Sequence, residues 1–171
     1  MAKKGLVTHM ARDLCSPREM AKWFINRVDR DAGEAITHLK LQKLLYFAQA
    51  YHLANFNRQL FAEDMEAWAH GPVVPSVFQI YKDHSWSAIE PGARAVVDDS
   101  VVEYIEAVFD KFGKFGAKQL EKLTHDHDPW KVTRGDLRPE QSCNRPIDKK
   151  LMRNFYAKKI KKAWKSAAIR A

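Results

Sequence analysis

The stretch from Leu39 to Leu53 constrains this chain more than any other. Leu39, Leu41, Leu44, Leu45, Phe47, Ala48, Tyr51 and Leu53 leave little of a helix circumference polar. A surface helix needs only one apolar stripe. A helix that is apolar nearly all round must be enclosed by other elements. The spacing predicts a central helix from about Thr37 to Ala54.

The remaining pattern supplies elements to enclose it. Ser16 offers an N-cap hydroxyl, Pro17 suits the first helical position, and Glu19 completes a capping box. Ala21, Phe24, Ile25 and Val28 then form one helical stripe before Asp31-Ala32-Gly33 ends it. Leu60-Phe61 and Ala67-Trp68-Ala69 read as short extended pieces, and His70-Gly71-Pro72-Val73-Val74-Pro75 breaks regular structure twice. A short helix follows from Pro75 to Asp83. Residues 84–99 read as a loop, with Ala95-Val96-Val97 as a short strand. Ser100 caps the next helix, Glu103 closes a capping box, and Val101, Ile105, Val108 and Phe112 face inward. Gly113 and Gly116 precede a helix through Leu120, Leu123 and Thr124. Residues 126–141 read as polar and irregular around Trp130. A last helix begins near Asp148 and carries Met152, Phe155, Tyr156, Ile160 and Ala163 inward. The expected fold is mainly α: a single compact helical domain with a small β-hairpin or short antiparallel sheet.

At 171 residues the chain has the length of one domain. Cys15 and Cys143 form neither a disulfide framework nor a CxxC pair, which suits a reducing compartment. His9, Arg12 and Asp13 interrupt any signal-peptide core after Lys3-Lys4. No run of about 20 apolar residues spans a membrane. A cytoplasmic protein without a membrane partner is expected.

The net charge of +8 favours an acidic partner, either nucleic acid or an acidic protein face. Its densest source is the last helix. Lys158, Lys161, Lys162 and Lys165 form one stripe opposite the apolar face, and Lys149, Lys150, Arg153 and Lys159 add to it. Such a helix can bind phosphates or an acidic surface. The plainer reading is a solvated face.

Chemistry leaves a weaker trace. There is no GxSxG, P-loop, GxGxxG, HExxH or EF-hand pattern. His125-Asp126-His127-Asp128 has metal-ligand residue types, with His70 or His84 as further ligands, but consecutive side chains diverge. A metal-dependent hydrolase built on His125 and His127 is therefore a minor alternative, set against a capping loop before Pro129. His70, on a glycine-containing loop, has the form of a general base without a sequence partner. The plainer reading has its imidazole bonded to loop backbone. Neither cysteine sits in a nucleophile motif.

Taken together, Leu39-Lys40-Leu41-Gln42-Lys43-Leu44-Leu45-Tyr46-Phe47-Ala48-Gln49, Leu60-Phe61-Ala62-Glu63 and Glu66-Ala67-Trp68-Ala69-His70-Gly71-Pro72-Val73-Val74-Pro75, followed by Val77-Phe78, closely resemble the Panacea domain family, also called the SocA-like antitoxins. Leu123-Thr124-His125 and Pro129-Trp130 resemble a second signature of that family. The resemblance covers about Met20 to Phe155. It implies a domain over residues 16–165, between a loosely ordered lead-in, 1–15, and a tail, 166–171.

The resemblance also implies an antitoxin that neutralises a cognate toxin by direct binding, or as an adaptor delivering it to an AAA+ protease. Nucleic acid, bound through the basic helix, is the alternative partner. No catalytic residue, cofactor or metal is implied. The motif residues are Lys40, Leu41, Gln42, Lys43, Leu44, Tyr46, Trp68, His70, Gly71, Pro72, Val73, Pro75 and Trp130, and most of them read as scaffold. Trp68 packs its strand onto the central helix, Gly71 permits a geometry that other residues would strain, and Gln42 and Lys43 satisfy the loop's carbonyls. Partner contacts are expected at residues 84–99, at 126–141, or on Arg153, Lys158, Lys161, Lys162 and Lys165.

Overall fold

The computed structural model describes residues 13–169, with side chains through Lys161. The seven helices are α1 (Pro17–Arg27), α2 (His38–Phe56), α3 (Pro75–Tyr81), α4 (Asp99–Phe112), α5 (Ala117–Asp126), α6 (Asp128–Arg134) and α7 (Lys149–Ile169). Two strands, β1 (Glu66–Trp68) and β2 (Gly71–Val73), form an antiparallel hairpin. The fold is mainly α with a small sheet.

α2 is the axis. It starts where Thr37 accepts a hydrogen bond from the Lys40 N–H, and it ends on Asn57 in the left-handed conformation. Residues 41–50 are buried without interruption. α7, α5, α1, α4, α3 and β2 all pack on it. Toward α7 and α4 the packing is aromatic. Phe47 stacks on Phe112 at 4.3 Å and 7°, and meets Tyr156 edge-on at 6.3 Å.

Several local expectations change. Ser16 caps α1, but the Glu19 carboxylate turns to Lys22 and to the Val96 N–H instead of closing a capping box. Asp98, not Ser100, caps α4, and its carboxylate accepts from the Ser100 N–H. Leu60-Phe61 is not a strand. The Gln49 side chain bonds both the Leu60 N–H and the Phe61 carbonyl, at 2.7 Å each, while the Leu60 carbonyl accepts from Leu14 and Cys15. Residues 95–97 form no strand. The bridge to the body lies at Ala88, where the adjacent Ile89 N–H donates to the Ile36 carbonyl at 2.8 Å.

Residues 128–134, expected as irregular, form α6. Pro129 occupies the first turn of a helix, where a missing N–H costs nothing. α7 continues to Ile169, so residues 166–169 are helical. Most of the lead-in, residues 1–12, lies outside the described residues, as do positions 170 and 171 of the tail.

The hairpin accommodates a proline because of its register. Pro72 faces Ala67, whose N–H donates outward to the Arg145 carbonyl and whose carbonyl accepts from Arg134. No ladder bond is asked of Pro72 on that side. Residues 145–147 thus cover the outer edge of β1, with the Ile147 N–H bonded to the Met65 carbonyl at 2.7 Å.

Candidate functional site

The start of α2, the hairpin, α3 and residues 142–144 surround a cleft of about 730 Å³. Its floor is a relay of polar groups. The Val74 N–H donates to Gln42 Oε1 at 2.8 Å, which fixes the amide's orientation. The amide nitrogen therefore faces His38 Nε2, at 3.0 Å, as a donor. His38 must accept there, so its imidazole is neutral with the proton on Nδ1. Burial, and then the charges of Lys43 and His84, hold its pKa down at about 4.

Beside it Lys43 is fully buried, and its Nζ donates to the Pro72 carbonyl at 3.0 Å. Burial lowers the amine's pKa to about 7, against the opposing pull of Glu121. Gly71 lies against this amine. It has φ +97°, and a Cβ placed there would stand 2.6 Å from Lys43 Cε and 2.8 Å from Thr124 Oγ1. Glycine is required twice over, by backbone angle and by space.

The mouth is charged and aromatic. His70 Nδ1 lies 2.8 Å from Glu121 Oε1, and Lys118 Nζ donates to Glu121 Oε2 at 2.8 Å. Burial pushes the Glu121 carboxyl up, but its bonds from Lys118 and His70 prevail and hold it below its ordinary value. His70 thus bonds a carboxylate 51 residues away rather than the backbone of its own loop. Trp86, 61% exposed, stands 5.8 Å from the His70 ring, with Lys118 Nζ 5.3 Å from its own. Ser85 just before it has φ 50° and ψ −116°, a conformation suited to glycine that costs a serine about 1–3 kcal/mol.

Trp68 is held by its indole N–H on Glu66 at 2.6 Å, and its ring meets Phe78 of α3 edge-on at 4.7 Å. Behind it the Trp130 indole donates to the Trp68 carbonyl at 2.8 Å, while the Trp130 ring stacks on His125 at 4.0 Å. Arg134, 2% exposed, donates to the Ala67 carbonyl and to the carbonyls of Arg138, Pro139 and Gln141.

Of the motif residues, the cleft gathers Gln42, Lys43, Trp68, His70 and Val73. Leu41, Leu44 and Tyr46 enter the core. Lys40 reaches the Gly113 carbonyl at 2.6 Å, and Pro75 begins α3. His125 and His127 are not brought together as ligands. His127 Nδ1 lies 2.8 Å from the Tyr156 hydroxyl, which donates onward to Tyr46, while His125 lies on Trp130. Among the described residues no three His, Cys, Asp or Glu side chains form a metal-holding group.

Cys143 lines the cleft, whereas Cys15 is buried and its thiol is pushed up to about 11 by that burial. On α7, Arg153 bonds Asn57, and Lys158 and Lys161 are exposed. The side chains of Lys162 and Lys165 lie outside the described residues. Among the described residues no helix is long and apolar enough to cross a membrane.

Sequence reasoning missed Glu121, Arg134 and Trp86. Glu121 reads as an ordinary surface partner of Lys118, and Arg134 is one of many basic residues. An isolated tryptophan between Ser85 and Ser87 was the one available signal.

The buried polar groups of the cleft are engaged within the protein. Lys43, Gln42 and Glu121 already have partners. The Trp86 ring stays largely exposed, and Lys82, held at 3.0 Å by the neutral Gln79 side chain, has no carboxylate partner among the described residues.

Comparison with known proteins places these features. The family described as "Antitoxin SocA-like, Panacea domain" matches residues 41–131, more than half of the chain. Antitoxin SocA of Caulobacter vibrioides (strain NA1000 / CB15N) is 33% identical over 111 residues, covering 57% of this chain. The chain spans 59% of that relative's length. No solved structure matches it. The matched residues contain most of α2, the hairpin, α3 and Trp130, while His38, Leu39 and residues 142–144 of the cleft lie outside the match, and the chain belongs to the SocA-like Panacea-domain family.

Proposed function

We propose that this chain is an antitoxin that neutralises a toxin protein by binding it directly. The observation that carries this reading is family membership through residues 41–131. The reading is supported by the site, since Lys43 and Gln42 are spent on holding backbone and Glu121 on His70 and Lys118, while the exposed Trp86 suits recognition. Neutralisation by binding requires no catalytic residue. Co-expression with the product of the adjacent gene should restore growth and yield a co-purifying complex. Failure of both overturns the reading.

A finer mode makes the chain an adaptor that hands the toxin to an AAA+ protease. In that mode toxin half-life falls when the antitoxin is present and recovers in protease-deficient cells. An unchanged half-life leaves simple blocking.

The exposed Lys158 and Lys161 on α7 favour a second reading, nucleic-acid binding. It requires an affinity that falls steeply with salt. Absence of binding to duplex and single strands at low salt ends it.

A further inference from the structure

Four observations about the cleft converge on one kind of occupant. First, no aspartate or glutamate lines it, while Lys82 does, its ammonium held by the neutral Gln79 side chain alone among the described residues. The nearby Glu121 carboxylate is already bound by His70 and Lys118. An acidic ligand meets complementary charge there.

Second, Trp68, Phe78 and Trp86 contribute ring surface, and Trp86 is largely exposed although it is the kind of residue that anchors interfaces. The strained backbone of Ser85 holds the turn that presents it.

Third, among the described residues the main-chain N–H and C=O groups of Ser142, Cys143 and Asn144 make no hydrogen bond to another protein group, and Ser142 and Asn144 are exposed. Yet the chain is pinned on both sides, by Arg134 on the Gln141 carbonyl and by the Ala67 N–H on the Arg145 carbonyl. Fixed, unpaired backbone beside ring-lined walls is the arrangement by which proteins take up an extended peptide. Fourth, about 730 Å³ lies within the roughly 300–1,000 Å³ range of sites that enclose a compact ligand.

We infer that this cleft receives an extended acidic segment of the toxin that carries an aromatic or large aliphatic side chain. The segment's backbone pairs with residues 142–144. Its apolar side chain lies among Trp68, Phe78 and Trp86, and its carboxylate meets Lys82 at the mouth. This inference rests on the antitoxin reading and adds to it the surface used and the chemistry of what binds there.

Cys143 supplies a built-in test, because it lines the cleft while Cys15 is buried with a raised pKa. The full chain is treated with a maleimide alone and in complex with the product of the adjacent gene. Complex formation should slow alkylation of Cys143 at least tenfold and leave Cys15 unmodified throughout. Trp86→Ala and Lys82→Glu, both at exposed positions, should each weaken the complex at least tenfold with unchanged thermal unfolding. Glu103→Lys, at an exposed position of α4 away from the cleft, should leave affinity within twofold. A photocrosslinker attached at Cys143 should recover a toxin segment containing an acid and a large apolar residue. Reversing that acid to lysine should restore binding to the Lys82→Glu variant.

A stable complex in which Cys143 alkylates at the free rate and both cleft variants bind normally overturns the inference but leaves the antitoxin reading intact. A recovered segment without an acid also overturns it. So does protection of Cys143 that rises with the concentration of this chain alone, which would make a second copy the occupant. No complex together with no restored growth removes the antitoxin reading and this inference with it, and restored growth without a complex overturns this inference alone.

Discussion

On the flank of α2 that meets α7 and α4, the contacts are rings: Phe47 on Phe112, and Tyr51 and Tyr156 around them. On the flank that meets the hairpin, the contacts are hydrogen bonds between side chain and backbone: the Val74 N–H donates to Gln42, and Lys43 donates to the Pro72 carbonyl. The two flanks do different work. Ring packing supplies most of the burial energy and tolerates some variation in shape. Buried amides and amines supply less net energy, but each fixes the position of a particular backbone atom, because leaving a partner unmet is costly. The cleft lies on the second flank, where position matters most.

The sharpest way to break this contrast is on the aromatic flank. Phe47→Ala should lower stability by about 3–5 kcal/mol, read from urea unfolding. Whatever remains folded should keep its affinity for the adjacent gene's product, the proposed toxin, within about threefold. A loss of affinity larger than the loss of folded protein would show that the flanks are not separable.

On the polar flank, Gly71→Ala should cost about 2–4 kcal/mol through backbone strain and the clash with Lys43. Unlike Phe47→Ala, it should also change the rate of Cys143 alkylation. A stability within 0.5 kcal/mol of the parent would refute the proposed contact.

Each flank also holds one neutral buried histidine, His38 toward the cleft and His127 against Tyr156, and each has its pKa lowered to about 4. In both, burial is the leading cause. Between about pH 4 and 6.5 the unfolded chain binds more protons than the folded one. Stability from these groups is therefore complete above pH 6.5 and is lost as pH falls toward 4. The effect is at most about 3 kcal/mol for each imidazole over that window. NMR titration should find both imidazoles still neutral at pH 5.5. A charged imidazole at that pH would contradict the geometry. The smallest expected change is on neither flank. Lys161→Ala, exposed on α7, should move stability by less than about 0.5 kcal/mol in the same unfolding experiment.

The sequence made the aromatic flank legible and the polar flank only in part. Leu41, Leu44 and Phe47 announce themselves by a run that leaves little of their helix polar, and Phe112 by the three-to-four-residue period of its own helix. Thr37 and Ser16 announce helix starts by cap chemistry. α6 was hidden because Pro129 reads equally as a breaker or as a first-turn residue. β2 was hidden because Gly71-Pro72 reads as a turn until the register shows that Pro72 owes β1 no hydrogen bond. The cleft itself is not periodic. It depends on His70 meeting Glu121, on Lys43 meeting Pro72, and on residues 142–144 arriving from far along the chain. Such meetings are set by tertiary packing and leave no local spacing to read.

Arg134 ties together two pieces of chain that share no secondary structure. One guanidinium holds the Ala67 carbonyl in β1 and the carbonyls of residues 138, 139 and 141 in the strap that follows. A lysine could not span these acceptors, lacking the planar fork. The consequence concerns the order in which the molecule opens. Hairpin and strap must part from the body as one cooperative unit, so the amides of Ala67 and Ile147 should exchange with solvent deuterium at a common opening free energy.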